Sequence, residues 1–236
     1  MQNSYSAVAN EYYDAQLHPT CAGFGVASGA LMKRHFELVP DKGTIFEIGA
    51  GRSGLLGAMP KATGAKLLIS DISLDMLNHS RSAFNGRAEF LVCDAGDLPV
   101  ESSSVDLVVA LLGDPYNSSA VWTEVYRALK NGGGVFFTTP SWEWSTAFRN
   151  SAPGERTGSA FFFTGSGNAL YLPSEILPVS SQIQLMGDSG LEVQWVDPFT
   201  LGDLKSAGAK IPSKLGDYLH DATPVVTAYW ATKVSL

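Results

Sequence analysis

Hydrophobic positions near the start of the chain recur at helical spacing. Tyr5, Val8, Ala9, Tyr12 and Tyr13 fall at i, i+3, i+4, i+7 and i+8, one face of a 3.6-residue helix. Polar His18-Pro19-Thr20 interrupts that stripe, and a second helix is predicted from about Phe24 to Leu38, ending before Pro40. From Asp41 the period changes. Short apolar runs alternate with helical patterns, the signature of βαβ units and a parallel sheet. Strands are expected at Thr44–Ile48, Lys66–Ser70, Ala88–Cys93, Val105–Leu112 and Val135–Thr139. The fourth is almost wholly apolar, as a central parallel strand covered on both faces must be.

The segments between these strands read as helices with recognisable ends. One begins near Ser53 and is cut short by Pro60. Another opens on Ser73, a good N-cap, with Asp75 in its first turn. A third runs from about Ser119 to Lys130, where Asn131-Gly132-Gly133-Gly134 reads as a C-cap. Residues 141–175 have no clear period and read as a long irregular stretch, of the kind that often carries function. A helix near Ser180–Asp188 and strands near Leu191–Val196 and Val225–Lys233 complete the pattern. Pro198 to Thr223 is ambiguous.

Length and composition change this picture little. A chain of 236 residues with 45% hydrophobic content supports one α/β domain. It divides into an N-terminal helical part (1–40), a core (41–140) and a final part (141–236). A net charge of −7 argues against nucleic acid as the partner. Cys21 and Cys93 have no metal or redox spacing, so no metal is expected. The N-terminus has no signal-peptide pattern, and no apolar run reaches the ~18 residues needed for a membrane span. A cytoplasmic protein is the expectation.

Candidate chemistry centres on Thr44–Gly54, where an apolar strand ends in a glycine-rich turn. Gly49, Gly51 and Gly54 satisfy G-x-G-x-x-G, and Asp71 follows Gly49 by 71 − 49 = 22 residues. That is near the ~20 expected for an acid on a ribose hydroxyl. Glu47, however, would repel a pyrophosphate and attract an ammonium or sulfonium group. Asp94 at the end of the third strand can accept from an adenine amino group, and a backbone N–H beside it can donate to the ring. Strands two, three and four end beside one crevice, where α/β sheets bind ligands.

EIGAGRSG, LLISDISLDML, FLVCDAGDLPVESSSVDLVVALLG and ALKNGGGVFFTTPS resemble, in order and spacing, the motifs of class I S-adenosylmethionine-dependent methyltransferases. The resemblance covers roughly Gly43 to Ser141. It implies an α/β, Rossmann-like three-layer sandwich around a mostly parallel seven-stranded sheet with the last strand antiparallel, and S-adenosylmethionine as cofactor. It also implies that Glu47, Gly49, Ala50 and Gly51 hold the methionine part and that Asp71 accepts from the ribose hydroxyls. Ile72 and Met76 would pack on the adenine, Asp94 and Ala95 would address its edge, and Leu111 would offer a carbonyl to the ammonium. The segment YSAVANEYYD resembles the lid helix of the small-molecule branch, so Tyr5, Tyr12 and Tyr13 would close over the site. Ser53 departs from the family, which usually has glycine there.

The acceptor is less legible. Gly113-Asp114-Pro115-Tyr116 is either a plain turn or a relative of the Asp-Pro-Pro-Tyr motif of amino-group methyltransferases. Asp114 is the first candidate for orienting or deprotonating a substrate, with Tyr116 beside it and His18 as a candidate base. Trp142, Trp144, Phe148 and Phe161–Phe163 could wall an apolar pocket. Tyr126 and Lys130 have the Y-x-x-x-K spacing of short-chain dehydrogenases, which reads as a coincidence. The expected function is methyl transfer to an O, N or C nucleophile of a small molecule. The alternatives are a nicotinamide-dependent oxidoreductase and a non-catalytic or partner-dependent cofactor-binding subunit.

Overall fold

Alternate residues of each central strand face opposite ways, and here both faces are apolar. Ile45, Leu67, Ile69, Leu107, Val109 and Phe136 enter one buried cluster, whereas Phe46, Leu68, Val108 and Phe137 enter the other. A computed structural model describes residues 4–60, 63–151, 158–217 and 219–234. The strands in chain order are β1 (Lys42–Glu47), β2 (Gly64–Asp71), β3 (Glu89–Val92), β4 (Val105–Ala110), β5 (Leu129–Pro140), β6 (Ser159–Phe163), β7 (Ala169–Pro173), β8 (Leu191–Thr200) and β9 (Pro224–Lys233). Seven of them form one sheet in the order β3-β2-β1-β4-β5-β9-β8, parallel from β3 to β5. The last strand, β9, runs antiparallel to both neighbours, as the resemblance implied. Strand order reverses between β1 and β4, which opens a crevice at their C-terminal ends.

The helices are α1 (Pro19–Arg34), α2 (Gly54–Ala58), α3 (Leu74–Ala83), α4 (Ser119–Ala128), α5 (Trp142–Ser151), α6 (Val179–Gly187), α7 (Leu201–Ser206) and α8 (Ser213–Gly216). Ser53, Ser73 and Ser118 cap α2, α3 and α4 through their hydroxyls. Pro19 stands in the first turn of α1, where its missing N–H costs nothing.

Three predicted elements differ. Residues 4–17 form successive turns rather than one helix, with i→i−3 bonds such as Val8 N–H to Tyr5 O (3.2 Å) and Glu11 N–H to Val8 O (3.0 Å). Tyr5, Ser6 and Tyr13 of this segment are tied to three other parts of the chain, and those tertiary bonds outweigh modest helix propensity. The triple glycine is not a helix cap. The chain leaves α4 directly into β5, Gly132 takes φ 74°, and the register against β4 shifts there. The Trp230 ring occupies the space a side chain at Gly134 would need. Finally, residues 141–175 carry α5 and the β6–β7 hairpin; 152–157 lie outside the described residues. The hairpin's Phe162 and Leu172 bury against Val8 of the N-terminal segment, a long-range partnership with no local period to announce it.

Candidate functional site

At the end of β1 the chain must turn tightly. Gly49 and Gly51 adopt φ of 59° and 46°, a region where only glycine is unstrained. A side chain at Gly49 would strike the Tyr116 ring, and one at Gly51 would strike the Tyr13 hydroxyl. The turn's own donors are already used. Ala50 N–H bonds Ser70 O at 2.7 Å, Gly51 N–H bonds Asp71 Oδ2 at 2.9 Å, and Arg52 N–H bonds the Tyr13 hydroxyl at 2.6 Å. These three N–H groups do not form an anion cradle, which removes the physical basis for a pyrophosphate here. Gly49, Ala50 and Gly51, expected to hold the methionine part, line the cavity, with the N–H groups of Ala50 and Gly51 bonded to the protein itself. The turn makes room for the Tyr116 ring and the Tyr13 hydroxyl.

Glu47 differs from the expectation. Its carboxylate is fully buried beneath the turn, where it accepts from the Ser53 hydroxyl and from the N–H groups of Gly54 and Leu55, both at 3.2 Å. It does not line the cavity; it braces the turn that does. Burial pushes its carboxyl up to about 7, against the hydrogen bonds that pull it down. Ser53, the departure from the family's glycine, becomes intelligible. Its hydroxyl donates to Glu47 and accepts from Leu56 N–H at 3.0 Å, while its N–H bonds Ser80 Oγ at 2.7 Å. Ser80 in turn donates to Gly51 O at 2.5 Å. Ser80 escaped the sequence reading because only its position on α3 makes it face the loop.

Asp71 ends β2 and is 7% exposed. One oxygen accepts from Gly51 N–H and the other from Ser73 N–H at 2.8 Å. Burial raises its carboxyl above the usual range, while these bonds lower it. A carboxylate has about four lone-pair sites, so it keeps acceptor capacity beyond these backbone donors.

Above the crevice lies a cavity of about 450 Å³. It brings together Gly49, Ala50, Gly51, Asp71, Ile72, Met76, Leu111 and Tyr116 with Tyr5, Tyr12 and Tyr13 of the N-terminal segment. That segment is fastened over it by Ser6 Oγ to Ser73 Oγ (2.8 Å), His79 Nε2 to Ala9 O (2.8 Å) and the Tyr13–Arg52 bond. Tyr13 also meets the His79 ring edge-on at 4.9 Å. Asp94 and Ala95 are not among the lining residues: Asp94 is exposed beyond β3 and accepts from Gly96 N–H at 2.8 Å. Tyr116 is a wall, its hydroxyl donating to Ile48 O at 2.8 Å.

A second cavity of about 110 Å³ adjoins the first, the two sharing Tyr5, Tyr12, Cys21 and Leu112. Asp114 opens the short 3-10 turn after β4 and faces this second space, its Oδ2 accepting from Ser174 Oγ at 2.7 Å. Trp144, Phe148, Phe161 and Phe162 wall it, whereas Trp142 and Phe163 are exposed elsewhere. His18 lines neither cavity; it is buried against Phe162 at 4.0 Å with Nε2 3.5 Å from Glu11 Oε1. His35 stacks on Trp195 and bonds Asp197 at 2.7 Å. Lys130 pairs with Asp106 and Tyr126 packs under Lys233, so the Y-x-x-x-K spacing builds no site. Among the described residues no group of three or more His, Cys, Asp or Glu is placed to hold a metal. No helix among them is long and apolar enough to cross a membrane.

The cavity suits an adenosyl cofactor: a buried carboxylate with spare acceptor capacity, apolar Ile72 and Met76 beside it, and a volume within the ~300–1,000 Å³ of small-molecule sites. Residues 45–133 match the family model for a methyltransferase domain. The chain is 31% identical over 98 residues to Ubiquinone/menaquinone biosynthesis C-methyltransferase UbiE of Desulfotalea psychrophila, covering 40% of each. It is 28% identical over 153 residues to the UbiE of Rubrivivax gelatinosus, covering 62% of this chain and 59% of that one. The matches thus span less than two thirds of these curated relatives. The fold is similar over 100% of both chains to a methyltransferase solved with the Haloferax volcanii Trm112 methyltransferase activator, with a TM-score of 0.69 and 17% identity. Over the matched segment the chain is thus similar to methyltransferase domains, and the fold around that segment is the Rossmann-like fold of solved S-adenosylmethionine-dependent methyltransferases.

Proposed function

We propose that this protein transfers a methyl group to an O, N or C nucleophile of a small molecule, with the cofactor in the larger cavity and the acceptor in the smaller one. The observation that carries this is the larger cavity itself: a glycine turn and a doubly braced Asp71 at the reversal of strand order, inside the matched segment. When bound, the cofactor supplies an electrophilic methyl on a sulfonium. Asp71 would hold the ribose hydroxyls, and Ile72 and Met76 would pack against the adenine. Leu111 would present its carbonyl to the ammonium. Asp94 and Ala95 could address only the outer edge of the ring. Glu47, Ser53 and Ser80 keep the turn in shape. Tyr5, Tyr12 and Tyr13 cover the site and exclude water, which favours alignment of the reactants over solvent competition. Asp114 is the group placed to orient an acceptor and take its proton on a carboxylate oxygen.

Calorimetry with S-adenosylhomocysteine and NAD tests the reading. Binding of the former alone is expected; binding of NAD alone would overturn it. The alternative, an enzyme that needs a partner, is motivated by the fold's likeness to a methyltransferase solved with its activator. Cofactor binding together with silence of the isolated chain across a broad acceptor panel would favour that alternative.

A further inference from the structure

The second half of the glycine turn has no backbone donor left for an anion. From Ala50 to Leu56 every backbone N–H is bonded within the protein: Ala50 to Ser70 O, Gly51 to Asp71, Arg52 to the Tyr13 hydroxyl, Ser53 to Ser80 Oγ, Gly54 and Leu55 to Glu47, and Leu56 to Ser53 Oγ. S-adenosylmethionine ends in an amino acid, and its carboxylate needs donors when it leaves water, because an unpaired anion in a covered site is costly. A side chain must supply what these N–H groups withhold.

Charge singles out one candidate in the larger cavity. Among the described lining residues Arg52 is the one cation and Asp71 the one anion. Arg52 is exposed, and among the described residues its guanidinium has neither a hydrogen bond nor an ion pair; only its backbone N–H is engaged. Its charge nevertheless bears on the cover of the cavity. Burial holds the Tyr13 hydroxyl well above its ordinary range, and the Arg52 charge counts against that rise, so the guanidinium stands within electrostatic reach of the hydroxyl. Leu111 lies over the same turn: a side chain at Gly54, two residues beyond Arg52, would strike it. The carboxylate and ammonium of an amino acid sit on one carbon, so their partners must be neighbours, and the Leu111 carbonyl is the proposed partner of the ammonium. A guanidinium matches a carboxylate with paired donors.

We infer that the Arg52 side chain receives the carboxylate of the cofactor's amino-acid end, an anchoring that the N–H groups from Ala50 to Leu56 do not give. This rests on the methyltransferase reading above.

The test is calorimetry on the full chain with two ligands, S-adenosylhomocysteine and its decarboxylated analogue, which keeps the adenosine and the ammonium. Wild type is expected to bind the first about tenfold or more tighter, the effect of charge-assisted hydrogen bonds. Arg52→Met and Arg52→Gln, which keep much of the stem without the charge, should each bring the two ligands to within about twofold of one another. Both replace an exposed side chain that bonds nothing among the described residues, so both are expected to fold, and either alone carries the test. Equal binding of the two ligands by wild type, or a preference that survives in the variants, overturns this inference and leaves the methyltransferase reading standing. Failure of S-adenosylhomocysteine itself to bind overturns both.

Discussion

The two cavities share a wall and are built on opposite plans. The larger rests on backbone and short polar side chains from consecutive βα units: the glycine turn, Asp71, Ser73, and the Glu47–Ser53–Ser80 network beneath it. The smaller is made of aromatic side chains brought in from α1, α5 and the β6–β7 hairpin, with Asp114 as its one carboxylate among the described residues. One is shaped by hydrogen bonds whose geometry tolerates little change; the other is shaped by packing, which tolerates exchange of one apolar group for another. A protein arranged in this way can change the apolar pocket without disturbing the hydrogen-bonded cavity beside it.

That separation can be broken by experiment. The largest effect is expected for Trp144→Ala, which removes a buried indole packed on Phe24 and Phe148 and should cost about 3–5 kcal/mol of stability. Affinity for S-adenosylhomocysteine measured below the melting transition should stay within about twofold of wild type, since Trp144 is not in the larger cavity. A tenfold loss would mean the two regions are one unit.

Next comes Glu47. Its folded carboxyl titrates near 7 against an ordinary 4.5, so the folded state binds the extra proton. Its contribution to stability is fully present below about pH 4.5 and is lost as pH rises through about 7. Glu47→Gln should remove this slope, changing the wild-type-minus-variant difference by on the order of 3 kcal/mol across that window. Denaturant melts at several pH values would show it, and parallel curves for the two proteins would refute it.

Asp71→Ala is expected to weaken S-adenosylhomocysteine binding by about 2 kcal/mol or more, roughly thirtyfold, by removing charge-assisted hydrogen bonds. The smallest effect belongs to Ser53→Ala, which deletes the cap of α2 and one partner of Glu47; about 1 kcal/mol of stability should be lost. A variant as stable as wild type would show that the serine merely replaces glycine.

The larger cavity was legible because its parts are close in sequence or sit at strand ends. Apolar runs located β1, β2 and β4, and a parallel sheet necessarily carries the residues just beyond those strands to one edge. Asp71, Gly49, Gly51, Ile72 and Met76 follow from that rule, and the cavity gathers them. Sequence reasoning erred where a residue's direction mattered. Glu47 and the N–H groups of Ala50 and Gly51 belong to the right segment, yet they turn inward to hold the loop. Asp94 belongs to the right strand end, yet β3 lies at the sheet's edge, two strands from the reversal of order.

What the sequence determined by itself, then, is the alternating core, the capped helices and the presence of a glycine turn followed by an acid. These depend on local propensity and on the two-residue and 3.6-residue periods, which any stretch of chain carries within itself. Tertiary structure alone decided the rest. It turned a predicted N-terminal helix into an anchored series of turns and placed Gly134 under Trp230 instead of at a helix end. It also closed an aromatic pocket around Asp114 from segments far apart in the chain. The glycine turn itself ended with a narrower role than its spacing suggested: it admits the Tyr116 and Tyr13 side chains, and the buried Glu47 holds it in shape.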